Sequence, residues 1–280
     1  MKFLYTIILL FCVIQNSTSQ QLVCSTQDQE AFESKIIAID GLLETEFGNT
    51  ITAIGTTFIG TPYVANTLEV AKHEPLVINL QGLDCTTFVE NVLAFSTLLK
   101  KGETAFSTFT KTLETIRYKD AIRDGYASRL HYFTEWIANN EKKGFLKNIT
   151  SELGGIETSK NIDFMSTHRE RYPFLKTNAA NFSKIKASEK FLNEKALCIL
   201  ELDAIKTNEH RINSGDIIAL TTAIKGLDVT HTGIAIREKD GRIHLLHASS
   251  SGAVKITKEP LVEYLQKIKH ITGIMVSRPL

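Results

Sequence analysis

The chain has 280 residues, of which 43% are hydrophobic and 22% charged, with a formal net charge of +1, an ordinary balance for a globular protein. With both signs interspersed, that balance excludes an electrostatic case for nucleic-acid or anionic-membrane binding, and pairs such as Lys142-Lys143 read as solvated surface. No stretch is long and apolar enough to span a bilayer, so stable membrane association is not expected.

The first element is an address label. Lys2 precedes an apolar run from Phe3 to Ile14, shorter than the about 20 residues of a membrane-spanning helix. Gln15-Asn16-Ser17-Thr18-Ser19 then supplies the small, polar stretch of a signal-peptidase site. Residues 1–19 are therefore expected to be a secretory signal, and residues 20–280 one exported, most naturally periplasmic, monomeric domain. Leu22-Val23 lacks the small residue that precedes a lipid-anchor cysteine, which argues against acylation of Cys24. Cys12 would leave with the signal, and Cys24, Cys85 and Cys198 would remain. An odd count in an oxidising compartment suggests one disulfide and one reactive thiol. Cys85 lies in a distinctive motif, so the expected pair is Cys24–Cys198, with three separate thiols as the alternative.

From Ser25 a helical period runs through Phe32, Ile36, Ile39, Leu43 and Phe47, and a second covers Ile51, Ile54 and Phe58 before Gly60-Thr61-Pro62. After a loop to about Gly82 comes the clearest helix. Asp84 is its N-cap, Phe88, Val92, Phe95 and Leu99 form its stripe, and Lys100-Lys101-Gly102 closes it. Across residues 103–200, helical patterns (Phe106, Phe109, Leu113, Ile116; then Phe133, Trp136, Ile137) alternate with polar connections and read as a largely helical extension, like that at 25–60. From Ser214-Gly215-Asp216 the period changes to two. Ile217–Leu220, Thr232–Ile236, Ile243–Leu246, Val254–Ile256 and Ile274–Val276 read as strands of one sheet over 214–280. Helices first and antiparallel strands afterwards indicate an α+β fold.

Chemistry enters at Asp84-Cys85-Thr86-Thr87. A cysteine in the first turn of a helix feels the positive end of the dipole and unpaired N–H groups, both favouring the nucleophilic thiolate. A lone cysteine on an amphipathic helix can equally be structural. A thiolate chemistry needs a base, and two histidines lie on the predicted sheet. His231 shares a strand face with Gly233 and Ala235, whose small size leaves room for the cysteine helix to pack. His247 shares a face with Ile243 and Leu245, opposite to His244, and could hold the tautomer of the first histidine. His168, His210 and His270 are assigned to the surface, and no His-x-x-x-His spacing suggests zinc.

Gly60-Thr61-Pro62-Tyr63, Leu83-Asp84-Cys85-Thr86-Thr87-Phe88, Ser214-Gly215-Asp216, His231-Thr232-Gly233-Ile234-Ala235 and His247-Ala248-Ser249 follow one another as in NlpC-like papain-fold cell-wall hydrolases. Tyr63-Val64-Ala65-Asn66-Thr67-Leu68-Glu69, Ile116-Arg117-Tyr118, Ser128-Arg129-Leu130-His131-Tyr132-Phe133 and Trp136 resemble the amidase branch acting on anhydro-muropeptides. One departure is Asn66, where a small residue such as glycine is expected. The resemblance covers nearly all of the mature chain. It implies a papain-like core carrying a Cys85–His231–His247 triad that cleaves N-acetylmuramoyl–L-alanine bonds of peptidoglycan fragments without a cofactor. Tyr63 would support the oxyanion, and Thr67, Glu69, Asp84, Arg117, Arg129, His131 and Ser249 become candidates for substrate contact. Arg117, Arg129 and His131 fit ordinary ion pairing equally well. The alternatives are an endopeptidase cutting within the stem peptide and a non-catalytic wall-binding module.

Overall fold

The computed structural model describes residues 21–71 and 73–280; the expected signal segment and Cys12 lie outside the described residues. β1 (Leu22–Val23) pairs in parallel with β2 (Leu76–Val77). Between them stand α1 (Thr26–Ile39) and α2 (Phe47–Thr56). The period through Leu43 and Phe47 reads as one helix, but Gly41 at φ +77° ends α1 and Phe47 starts α2. Ser25 and Asp28 form a capping box on α1, and Asp28 also accepts the N–H of Leu80 at 2.8 Å, fastening α1 to the chain after β2. α3 (Cys85–Lys101) is bounded as its sequence requires, by an Asp84–Thr87 capping box and by Gly102 at φ 67°.

α4 (Phe106–Arg117), α5 (Phe133–Lys142), β3 (Leu146–Asn148), β4 (Ile156–Thr158), α6 (Phe164–Thr167), α7 (Pro173–Lys176), α8 (Ala179–Leu192), β5 (Leu197–Glu201) and α9 (Leu202–Asn208) follow. The last part comprises β6 (Ile217–Thr222), β7 (Val229–Arg237), β8 (Ile243–Ala248), β9 (Val254–Ile256), α10 (Leu261–Gln266) and β10 (Ile271–Pro279). The main sheet runs β4-β5-β10-β6-β7-β8-β9, antiparallel at each step, with β3 also on β10. The segment 103–200 is therefore not only helical, since it supplies β3, β4 and β5. Leu197-Cys198-Ile199-Leu200 shows no alternation because Ile199 and Leu200 are buried in different clusters, and such a run looks the same in a buried helix.

The sheet separates two apolar layers. Ile217, Ala219, Ile234, Leu246 and Met275 pack on α2 and α3 through Ile54, Phe88, Val92 and Phe95. Ile218, Leu220, Ala235, Leu245 and Ile274 pack under α9 and α10 through Ile205, Leu261 and Leu265. A third cluster, around Tyr132, Met165, Ile185 and Leu197, holds the inserted segment together. Arg117 and Glu90, both almost wholly buried, bond at 2.7 Å while Arg117 also donates to the Val77 carbonyl, tying α3, α4 and β2. Breaking one half of such a buried pair costs about 3–5 kcal/mol.

Two expectations are corrected here. The cysteine helix does not pack on the Gly233/Ala235 face. It packs on the Ile234/Leu246 face, and the small size of Gly233 serves Leu245, whose Cγ would stand 2.9 Å from an added Cβ. The Cys24–Cys198 bridge is absent and both thiols are free. Cys24 packs on the helical layer beside α1, while Cys198 lies on β5 opposite Glu157, and a disulfide needs neighbouring backbones.

Candidate active site

Cys85 is the first residue of α3, and Asp84 has spent its side chain on the Thr87 N–H and hydroxyl, both at 2.8 Å. The Thr232 hydroxyl donates to the Cys85 carbonyl at 3.0 Å, so the helix start is fastened directly to β7. Burial pushes the Cys85 thiol above its ordinary value, with the Asp84 charge adding to it, while bonds offered by Thr232 and Thr86 pull the other way. The helix end alone therefore does not deliver a standing thiolate. Nucleophilic use of this thiol would need a nearby base to take its proton.

His231 supplies an imidazole at the same place. Just before it the β6–β7 register shifts, with Leu220 opposite His231 but Thr221 opposite Val229. Thr230 is the extra residue of a bulge, a device that turns a strand end and re-aims its side chains. Val229, Thr230, His231 and Thr232 in succession border one cavity of about 500 Å³, together with Cys85. The cavity thus lies across the end of β7 rather than over either face. This is how a histidine on the face opposite α3 comes to line the same cavity as a thiol at the start of α3.

His247 stands behind His231, with its Nδ1 2.6 Å from His231 Nε2 and the rings perpendicular. One ring donates and the other accepts. His247 is almost wholly buried, packs edge-on against Tyr264, and its Nε2 has no partner among the described residues. His244 points elsewhere, to the Thr257 carbonyl at 2.9 Å and to Asp240 at 3.0 Å.

The other candidates separate by position. Glu69 and His131 border the cavity. Arg129 sits behind Glu69, bonded to it at 2.5 Å, near Glu74 and over the Tyr126 ring. Arg117 is committed to Glu90, away from the cavity. Tyr63 bridges to Leu83, two residues before Cys85, and burial raises its phenol with Cys85 and Asp84 adding to the rise. Thr67 has a buried hydroxyl without a partner among the described residues, and Ser249 bonds to Ser251 at 2.9 Å. Asn66, on the cavity rim, has φ 60°, which explains why glycine is expected there and why asparagine can replace it.

Sequence reasoning missed the far wall: Tyr126, Tyr132, Met165, Arg171, Tyr172 and Asp228. Asp228, three residues before His231, is buried and accepts the Thr134 N–H at 2.8 Å, and burial raises its carboxyl despite those bonds. The arm 162–177 carries Met165, Arg171 and Tyr172. It is fastened by the Gly226 carbonyl, which accepts from Asp163 at 3.0 Å and from Phe164 at 2.9 Å. Gly226 has φ +80°, and a Cβ there would collide with Asp163. Nothing in the periodicity marks these residues. Among the described residues no three His, Cys, Asp or Glu side chains are grouped as a metal set, and no helix is long and apolar enough to cross a membrane.

Burial pushes three histidines far below the ordinary value of 6.5: His131 to about 3, His231 to about 4 and His247 to about 3. All three are neutral at pH 7. In the unfolded chain each takes up a proton as pH falls through about 6.5, while the folded sites stay neutral. Their stabilising contribution is present above the unfolded value and is lost as pH falls towards about 4. At His244, burial is outweighed by its bonds to Asp240 and the Thr257 carbonyl, so its value rises and it works in the opposite sense. These three imidazoles outweigh His244, and the lowered carboxyl of Glu209 adds to them, while the raised carboxyls of Glu74, Glu90, Asp216 and Asp228 offset part of the loss. The midpoint of thermal unfolding should therefore fall by a few degrees between about pH 7 and about pH 4.5. A flat or rising midpoint over that range in calorimetry would show that the carboxyls, not these imidazoles, set the acid response.

A family model described as AmiA-like, N-acetylmuramoyl-L-alanine amidase-like, matches residues 53–274. Among solved structures the chain is similar to an N-acetylmuramoyl-L-alanine amidase from Bacteroides uniformis ATCC 8492, with 38% identity over 84% of this chain and 99% of that one, at a TM-score of 0.79. It is also similar to a Bacteroides fragilis protein provisionally named a xylanase, with 42% identity over 80% of this chain and 98% of that one, at a TM-score of 0.75. A Legionella pneumophila protein 21% identical shares the fold over 90% of this chain and 95% of its own, at a TM-score of 0.68. No curated protein matches the chain.

Proposed function

Since the chain belongs to the N-acetylmuramoyl-L-alanine amidase-like family, we propose that it hydrolyses the amide between (anhydro-)N-acetylmuramic acid and L-alanine in peptidoglycan fragments, using Cys85 as nucleophile. The observation that carries this is the shared cavity of Cys85 and His231, with His247 locked onto the far nitrogen of His231 at 2.6 Å. When His231 donates its Nε2–H to His247, Nδ1 is left as the base facing the cavity. The thiol proton passes to Nδ1 as sulfur adds to the amide carbon. The N–H at the start of α3 and the Tyr63 hydroxyl receive the oxyanion. The imidazolium then protonates the departing alanine nitrogen, leaving a thioester that water, deprotonated by His231, opens. We read the core as NlpC-type and papain-like, and the enzyme as acting outside the cytoplasm once its signal is removed.

The xylanase name of one relative suggests glycoside hydrolysis, which uses two carboxyl groups facing each other across the sugar. Here Glu69 is held by Arg129 at 2.5 Å and Asp228 is buried on the Thr134 N–H, so neither is free for that role. Mass spectrometry of anhydro-muropeptide digests tests the proposal. The expected products are intact stem peptides and free anhydro-amino sugar, with activity lost to a thiol alkylator and kept in a strong chelator. Cuts inside the stem would establish an endopeptidase. Loss on chelation with recovery on zinc would establish a metal amidase.

A further inference from the structure

Charge on the cavity wall is distributed unevenly. Glu69 is matched by Arg129 at 2.5 Å, and the Asp228 carboxyl is buried on a backbone N–H with its tendency to ionise reduced. His131 is neutral, its Nε2 bonded to the Tyr126 carbonyl at 2.8 Å. Arg171 is different. Its side chain is exposed at the cavity edge, and it has no hydrogen bond or ion pair among the described residues. Its neighbours on the same arm are committed: Glu170 pairs with Lys176 at 3.0 Å, and Arg169 bonds to the Leu175 and Lys176 carbonyls and lies over the Phe182 ring. Arg171 therefore presents an unspent guanidinium, a fork matched to a carboxylate, from an arm anchored at Gly226 and at the Tyr132 hydroxyl.

The substrate proposed above carries carboxylates on one side only. Once the lactyl group is in the amide, the sugar side has none. The peptide side has the α-carboxylate of the γ-linked D-glutamate one residue beyond L-alanine, a group that some cell walls convert to a carboxamide. We propose that Arg171 is the specificity-determining residue of this site, binding that carboxylate and selecting acidic over amidated stem peptides, an assignment that rests on the amidase reading above. It also orients the substrate, with the peptide towards the 162–177 arm.

The test compares 1,6-anhydro-N-acetylmuramoyl-L-alanyl-D-glutamate with its D-isoglutamine counterpart. The wild-type kcat/KM should favour the acid by about 10- to 100-fold, the range of a charge-assisted bond, and the preference should shrink with added salt. Arg171→Gln should lower kcat/KM on the acid through KM, and by far more than on the amide, while Arg171→Lys restores part of the preference. Equal loss on both substrates, or a wild type that does not discriminate, would overturn the assignment. A wild type that cleaves neither substrate, although folded, would instead overturn the amidase reading itself.

Discussion

Replacing Cys85 by alanine should lower turnover of the muramoyl amide by about 10⁴-fold or more, with the fold intact. The first turn of α3 is held by groups that the substitution leaves in place: Asp84 and Thr87 cap it, and Thr232 bonds to the backbone carbonyl of residue 85 rather than to its sulfur. Circular dichroism and the melting midpoint of Cys85→Ala should therefore match wild type. If a folded Cys85→Ala protein retains near wild-type hydrolysis, the sulfur is not the nucleophile, and the cavity would have to be searched again for a water-activating base.

Histidine substitutions should give a ranked series. His231→Ala should cost almost as much as loss of Cys85, because the thiol is pushed upwards by burial and cannot lose its proton unaided. His247→Ala keeps the base but frees its Nε2 and the tautomer it holds, so the loss should be smaller, on the order of 10- to 100-fold. The His244 imidazole, on β8, ties the turn before that strand to the residue after β9 through its bonds to Asp240 and the Thr257 carbonyl. Its replacement should lower the melting temperature and leave kcat nearly unchanged. Essential His244 with dispensable His247 would mean that the 2.6 Å histidine pair has no part in the chemistry.

Local sequence cues were sufficient where one residue decides the outcome. Asp84 and Gly102 bound α3 because capping residues leave direct marks, and runs of Ile, Leu, Val and Thr between turn residues mark strands such as β6 and β8, which are buried on both faces and whose side chains alternate by geometry alone. The strand parity of His231 and His247 was legible for the same reason. The face presented to α3 was not. Small residues at 233 and 235 are equally consistent with an approaching helix and with a cross-strand leucine, and Leu245 takes the space. Arg117 and Arg129 carried a substrate-like pattern, yet Glu90, Glu69 and Glu74 claim their charges from segments 27 to 60 residues away. Pairing over such separations cannot be inferred from spacing. Arg171 was invisible for the converse reason, since the absence of a partner leaves no pattern along the chain.

The attachment at Gly226 bears on how such an enzyme could change its diet. The proposed reacting groups come from α3, β7 and β8, whereas much of the cavity wall rides on residues 162–177, joined to the body by the Gly226 carbonyl, which takes two N–H groups, and by the side chains of Tyr132, Glu189 and Asn193. An arm of different sequence could be exchanged as a cassette, by recombination or by an engineer, if it kept two consecutive donors for that carbonyl and left Gly226 bare. Chimaeras that respect this joint would inherit the cleavage chemistry unaltered and acquire a new appetite. Those that broke it would shift the wall and the approach to His231 together, and lose both.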